Sequence, residues 1–244
     1  MELIDKTVEL RGSQILNMRT YHEVVCQRRI MAVATILAWV GAVLLIVALA
    51  TTNWAIIEFM NTDYHMVKVE LGVWGEWRTL DNFKKKAVEW IPHFPSPPES
   101  ILRLADADLK HYYRSQAAIG VIALIILLST NLLALYTFYH HRYMYKRAVA
   151  CLYFVVAMAI VVTIEILSNS IDEWNRSVGK SDAENSFNYD AGKSMGYSTR
   201  LAQAVVGICI FAAIVFAWAS HKQKGDHAAT AELEIEDRPI HMGR

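Results

Sequence analysis

Apolar residues along this chain collect into four long runs, at 30–50, 117–138, 148–167 and 201–219. Each run approaches the ~20 residues that a helix needs to cross ~30 Å of hydrocarbon. The first, IMAVATILAWVGAVLLIVALA, holds no charge, and the third holds one acid, Glu165, near its end. A helix in a soluble core keeps a polar face, and these runs have almost none. In lipid only a helix or a closed barrel satisfies its own backbone, so the pattern predicts four transmembrane helices and a bilayer as partner. Ala48-Leu49-Ala50 has the small residues of a signal-peptide cleavage site. The leader of 29 residues and the 21-residue run exceed a signal core of roughly 7–15, so a retained anchor is expected.

Basic residues set the expected orientation. Arg28 and Arg29 precede the first run, Arg142, Lys146 and Arg147 lie between the second and third, and Lys222 and Lys224 follow the fourth. Arg114 and Arg200 oppose this count from the other side. The reading is a plasma-membrane protein with a cytoplasmic segment 1–29, an outer loop 51–116, a cytoplasmic link 139–147, a second outer loop 168–200 and a cytoplasmic tail 220–244.

Between the runs the pattern changes period. Val67-Lys68-Val69-Glu70-Leu71 alternates apolar and charged positions, as a strand with one wet face does. Gly72 then permits a turn or bulge, Val73-Trp74 resumes a β-prone run, and Ile56–Phe59 is a second, weaker strand. The stretch IPHFPSPPES, with prolines at 92, 95, 97 and 98, is neither a helix nor a central strand and reads as a projecting loop. After it, Ile101, Leu104, Ala105, Leu109 and Tyr112 have helical spacing that leads into the second run. The second outer loop is polar, with a short strand expected near 187–189. Residues 1–29 show a weak signal for a surface helix, and the tail from Lys222 reads as disordered.

Composition narrows the chemistry. The formal net charge is zero, with no basic face for nucleic acid. None of the three cysteines, Cys26, Cys151 and Cys209, falls in an outer loop, so no disulfide is expected there. Cys26, beside Arg28, is a candidate for palmitoylation or an ordinary thiol. Asn175-Arg176-Ser177 is a glycosylation sequon in the second outer loop. Glu165 is the acid within a span, a position that by default suggests function. It is a candidate for an intramembrane ion pair with Arg114 or Arg200, for simple snorkelling or for ion conduction. The sequence has no phosphate-binding glycine loop, HExxH, CxxC or nucleophile elbow. His140-His141 lacks a partner at metal-ligand spacing, and Asp106 and Asp108 form no calcium loop. Neither an enzyme nor a cofactor is expected. The link YTFYHHRYMYKR, aromatic and basic, suits anionic headgroups in a generic way. Trp54, Trp174 and Trp218 lie within a few residues of a span end, as tryptophans of an interfacial belt do. Trp74 and Trp77 lie far from any span and read as anchors of the loop sheet.

Trp54, followed by Gly72-Val73-Trp74, resembles the W…G-L-W signature of the claudin superfamily, which includes claudins, peripheral myelin and epithelial membrane proteins and calcium-channel γ and stargazin-like subunits. Arg114, in YRSQAA, is similar to the Arg that claudins place at the start of their second span. In length and divergence the chain looks most like invertebrate claudin-like proteins. The resemblance implies an all-α membrane protein, a left-handed four-helix bundle capped by a small extracellular antiparallel sheet from both outer loops. Two departures stand out. The family's two cysteines should follow the signature, but the next positions here are Gly75, Glu76 and Trp77, so Trp74 and Trp77 are expected to pin the sheet by aromatic contacts, worth ~0.5–1.5 kcal/mol each. The chain ends PIHMGR, so no PDZ ligand is expected at its C-terminus. The resemblance implies one of two roles. The first is a junction, adhesion or paracellular-barrier protein that binds itself in cis and in trans. The alternative is an auxiliary subunit that tunes gating or trafficking of an ion channel or receptor. In the first role Lys68, Glu70 and Glu76 are candidates for ion selectivity.

Overall fold

The computed structural model describes residues 8–10, 14–16, 18–60, 66–82, 85–94, 106–139, 143–181 and 192–225. In chain order the elements are β1 (Val8–Leu10), β2 (Gln14–Leu16), α1 (Met18–Ala50), β3 (Ala55–Met60), β4 (Met66–Leu71), β5 (Gly75–Asn82), β6 (Lys85–Pro92), α2 (Asp106–Tyr139), α3 (Tyr143–Ser181), β7 (Gly192–Met195) and α4 (Tyr197–Gly225). The helices hold four stretches long and apolar enough to span a membrane: Val25–Ala50, His111–Tyr139, Met144–Asp172 and Tyr197–His221. The helices outrun the apolar runs of the sequence. α1 starts at Met18 and α3 continues to Ser181, because Leu167, Ile171, Trp174 and Val178 extend a stripe at helical spacing past the apolar boundary. Asn175 thus lies on a helix rather than in a loop. The strand expected at 187–189, most of the proline-rich loop and most of the tail lie outside the described residues.

The chain divides into two compact bodies, and every helix contributes to both. The first comprises residues 1–41, 126–156 and 207–244. Its helices bury small residues: Ala34 and Ala38 of α1, Ala134 of α2, and Cys209, Ala212 and Ala219 of α4. Small side chains let backbones approach, and lipid supplies no hydrophobic drive between helices to replace that contact. Tyr153 and Phe216 fill the space between, with ring centroids 5.9 Å apart. Tyr153 Oη donates to Asn131 Oδ1 at 2.9 Å, and Asn131 Nδ2 donates to the Ala38 carbonyl at 3.2 Å. The opposite flanks of these helices display Val33, Ile36, Leu132, Phe154 and Ile214, each more than half exposed. So continuous an apolar surface is stable only against hydrocarbon or another apolar partner.

The second body comprises residues 42–125 and 157–206 and contains a five-stranded antiparallel sheet in the order β6-β5-β4-β3-β7. β7, from the segment between α3 and α4, pairs with β3 from Ala55↔Met195 to Glu58↔Gly192, so both interhelical segments build one sheet. The alternation at 67–71 is borne out: Val67, Val69 and Leu71 are buried, while Lys68 and Glu70 are half-buried on the other face. β6 is an element that the sequence reading missed. Its proline, Pro92, closes an edge strand, where a missing N–H disturbs no ladder.

Candidate functional site at the helix ends and the sheet

The helical C-terminus of α1 leaves its last carbonyls without intrahelical partners. The Val47 carbonyl accepts from Thr51 N at 3.0 Å and from Thr51 Oγ1 at 2.8 Å. The Ala48 carbonyl accepts from Trp54 Nε1 at 2.8 Å, and the Leu49 carbonyl from Trp74 Nε1 at 3.0 Å. The two tryptophans of the sequence motif thus cap one helix from two different strands of chain.

Trp54 uses every polar group it has. Its N–H donates to the Leu71 carbonyl at 2.8 Å, and its carbonyl accepts from Gly196 N at 3.0 Å and Thr199 Oγ1 at 2.7 Å. The side chain is fully buried. The interfacial-belt reading therefore fails for Trp54: a belt residue keeps its ring in the headgroup region, whereas this ring is enclosed by protein. Trp218 is 42% exposed, and Trp174 lies on α3, where its side chain is not described.

Asn53 performs the matching task at the other helix. Its carbonyl accepts from Ser198 N at 3.0 Å and its Oδ1 from Tyr197 N at 3.3 Å, so it occupies orphan donors in the first turn of α4. Thr51 Oγ1 and Ser198 Oγ lie 2.7 Å apart. Two glycines make this closeness possible. A Cβ on Gly196 would collide with the Asn53 carbonyl, and one on Gly72 would meet Thr52 Cα at 2.7 Å and the Gly75 carbonyl at 2.8 Å. Gly72 N donates to that same Gly75 carbonyl at 2.9 Å, which turns β4 into β5. Val73 is buried within this turn rather than lying on a strand.

The register sorts the remaining candidates by face. Trp77 pairs with Trp90, Thr79 with Val88 and Asp81 with Lys86 on one face, where the two indoles sit at 4.9 Å, tilted by 51°. Lys68 and Glu70 share that face and form an ion pair at 3.1 Å. Trp74 is tilted against Phe94, at 6.0 Å. Glu76 belongs to the opposite face. It is 3% exposed and its Oε1 accepts from Arg78 Nε at 2.9 Å. An exposed selectivity role for Glu76 is therefore incorrect: moving one position along a strand sends a side chain to the other face.

Beneath Glu76 lies a polar cluster that no sequence motif announced. His93 Nε2 stands 3.9 Å from Glu76 Oε2, its Nδ1 is 3.3 Å from the Val73 carbonyl, and its ring stacks on Tyr113 of α2 at 3.8 Å. His93 Nε2 and Gln116 Nε2 are the two buried side-chain nitrogens without a hydrogen-bond partner among the described residues.

Glu165, Arg114 and Arg200 are all exposed, and no ion pair within 4 Å joins Glu165 to either arginine. Cys26 is an exposed free thiol on α1. Among the described residues no three His, Cys, Asp or Glu side chains gather as metal ligands. The site joins the sheet to helix ends through hydrogen bonds and presents one aromatic and charged face.

No curated protein matches the chain. A family model described as PMP-22/EMP/MP20/Claudin tight junction matches residues 39–218, a range that contains every strand of the five-stranded sheet, the end of α1, all of α2 and α3 and most of α4. The chain belongs to this PMP-22, EMP, MP20 and claudin family and is a claudin-like four-span membrane protein.

Proposed function

We propose that the protein organises cell contacts in the plasma membrane, as a junction, adhesion or paracellular-barrier component, through association of its sheet with other copies in the same and in the opposing membrane. In this reading the sheet is extracellular and both termini are cytoplasmic. The observation that carries it is the exposed sheet face, where Trp77 (39% exposed), Trp90 (37%) and Val88 (61%) form an apolar area beside the Lys68–Glu70 pair. Exposed aromatic clusters with a polar rim are typical of protein recognition surfaces. The tight-junction description of the matching family points the same way.

The test is to express fluorescent full-length protein in cells that lack it and to mix them with non-expressing cells. Enrichment at contacts between two expressing cells, and not at mixed contacts, is the expected result. Even distribution over the surface, together with stoichiometric recovery of an ion channel or receptor in mild detergent, would replace this reading with that of an auxiliary subunit. Where a paracellular route exists, Lys68→Glu should alter its cation-to-anion permeability ratio. An unchanged ratio would remove Lys68 and Glu70 as selectivity residues.

A further inference from the structure

We propose that the end of the first body, where α3 begins, binds a phosphate group supplied by the headgroup of an anionic lipid, with Lys146 and Arg28 as its principal ligands. Lys146 lies in the first turn of α3 and is only 4% exposed. A buried ammonium is stable only with a counter-charge or full hydrogen bonding. Among the described residues no acid stands within 4 Å of Lys146, and only the sliver of surface left to its side chain offsets the charge. Arg28, another cation, reaches the same end of the body, where it donates to the Phe138 carbonyl of α2 two residues from Tyr136, whose ring meets Tyr145 beside Lys146. The contrast with Glu76 is direct, since that buried carboxylate has Arg78 at 2.9 Å. Two cations at one end of the body, with no acid paired to either among the described residues, define a place for an anion.

Arg28 is exposed and spends one donor on the Phe138 carbonyl at the end of α2, at a long 3.4 Å. A guanidinium has five donors in a planar fork, so most remain for phosphate oxygens. The N-terminal end of α3 adds the positive end of its dipole to the same place.

The level in the membrane fits a lipid as the source. Lys146 is the third residue of the span Met144–Asp172, so it lies where hydrocarbon gives way to headgroups. Aromatic rings mark the same level: Tyr136 meets Tyr145 edge-on at 5.3 Å, and Tyr139 is 83% exposed. Tyrosines enriched at this depth are the usual sign of the lipid–water boundary.

The test uses full-length protein in mild detergent, with lipid adducts counted by native mass spectrometry. The probes are phosphatidylcholine, phosphatidylserine and phosphatidylinositol 4-phosphate, with inorganic phosphate as a lipid-free competitor. The expected result is at least a tenfold preference for the anionic lipids over phosphatidylcholine. Lys146→Met, close in volume and uncharged, should lose about tenfold of that preference, while Lys146→Arg keeps it. Without lipid, Lys146→Met should melt at or above the wild-type temperature, because it removes an uncompensated charge. Anionic lipid should then raise the melting temperature of the wild type and not that of the variant. If Lys146→Met does not fold, Arg28→Gln supplies the same comparison. Equal adducts for neutral and anionic lipids, or unchanged binding in the folded variant, would overturn the proposal. Full displacement of the lipids by millimolar inorganic phosphate would overturn the lipid as its source.

Discussion

Trp54→Phe isolates the capping role of the signature tryptophan. The substitution keeps a buried aromatic ring and removes the indole N–H that reaches the Ala48 carbonyl at 2.8 Å. That carbonyl retains a second, longer bond from Thr51 Oγ1 at 3.2 Å, so it is weakened and not abandoned. The loss of the bond is then worth about 1–2 kcal/mol. The smaller ring leaves a void in a site with no exposure, which adds about 1 kcal/mol. A total of about 2–3 kcal/mol corresponds to a fall of about 4–12 °C at ~2–4 °C per kcal/mol for a chain of this size. Thermal unfolding of detergent-purified protein at one scan rate measures it. Trp39→Phe is the control: Trp39 lies on α1 at 36% exposure, and its replacement should cost within about 0.5 kcal/mol. A Trp54→Phe variant that melts with the control would refute the claim that the indole N–H holds the end of α1.

Three further outcomes follow from the same geometry. Gly196→Ala places a Cβ against the Asn53 carbonyl and should break the Ser198–Asn53 bond, with surface delivery reduced several-fold in a biotinylation assay; wild-type delivery would contradict it. The Trp77–Trp90 pair should show a coupling of about 0.5–1.5 kcal/mol in a double-mutant cycle of alanine variants read by melting temperature, and additive losses would show that the rings act independently. Arg78→Met leaves the Glu76 carboxylate buried without its guanidinium and should cost about 1.5–3 kcal/mol, the worth of a hydrogen bond to a charged group, whereas adding Glu76→Gln should restore part of the loss; a double variant as unstable as the sum of the singles would dismiss the pair.

The four spans were legible because a run of apolar side chains acts through a bulk property, transfer into hydrocarbon, that needs no knowledge of neighbours. The alternation at 67–71 was legible for a similar reason, since a half-buried strand repeats every second residue. β6 was not: Lys85–Pro92 mixes charge, aromatics and a proline, and its strand character comes from pairing with β5. The role of Trp54 was likewise hidden. Proximity to a span end is shared by belt tryptophans and capping tryptophans, and the Ala48 carbonyl separates them only once the chain has folded back.

By itself, then, the sequence determined the membrane as solvent, four helices, and a signature that relates the chain to the claudins, because each of these is written in local composition or spacing. The tertiary structure alone decided that Trp54 and Trp74 cap one helix end, that Asn53 caps the start of another, that Glu76 is buried beside Arg78 and that Lys146 is buried without an acid among the described residues. Those are relations between residues as much as 145 positions apart, as in the bond from Thr199 to Trp54. Hydrogen bonds and ion pairs depend on distance and direction in space, and no pattern along the chain encodes them.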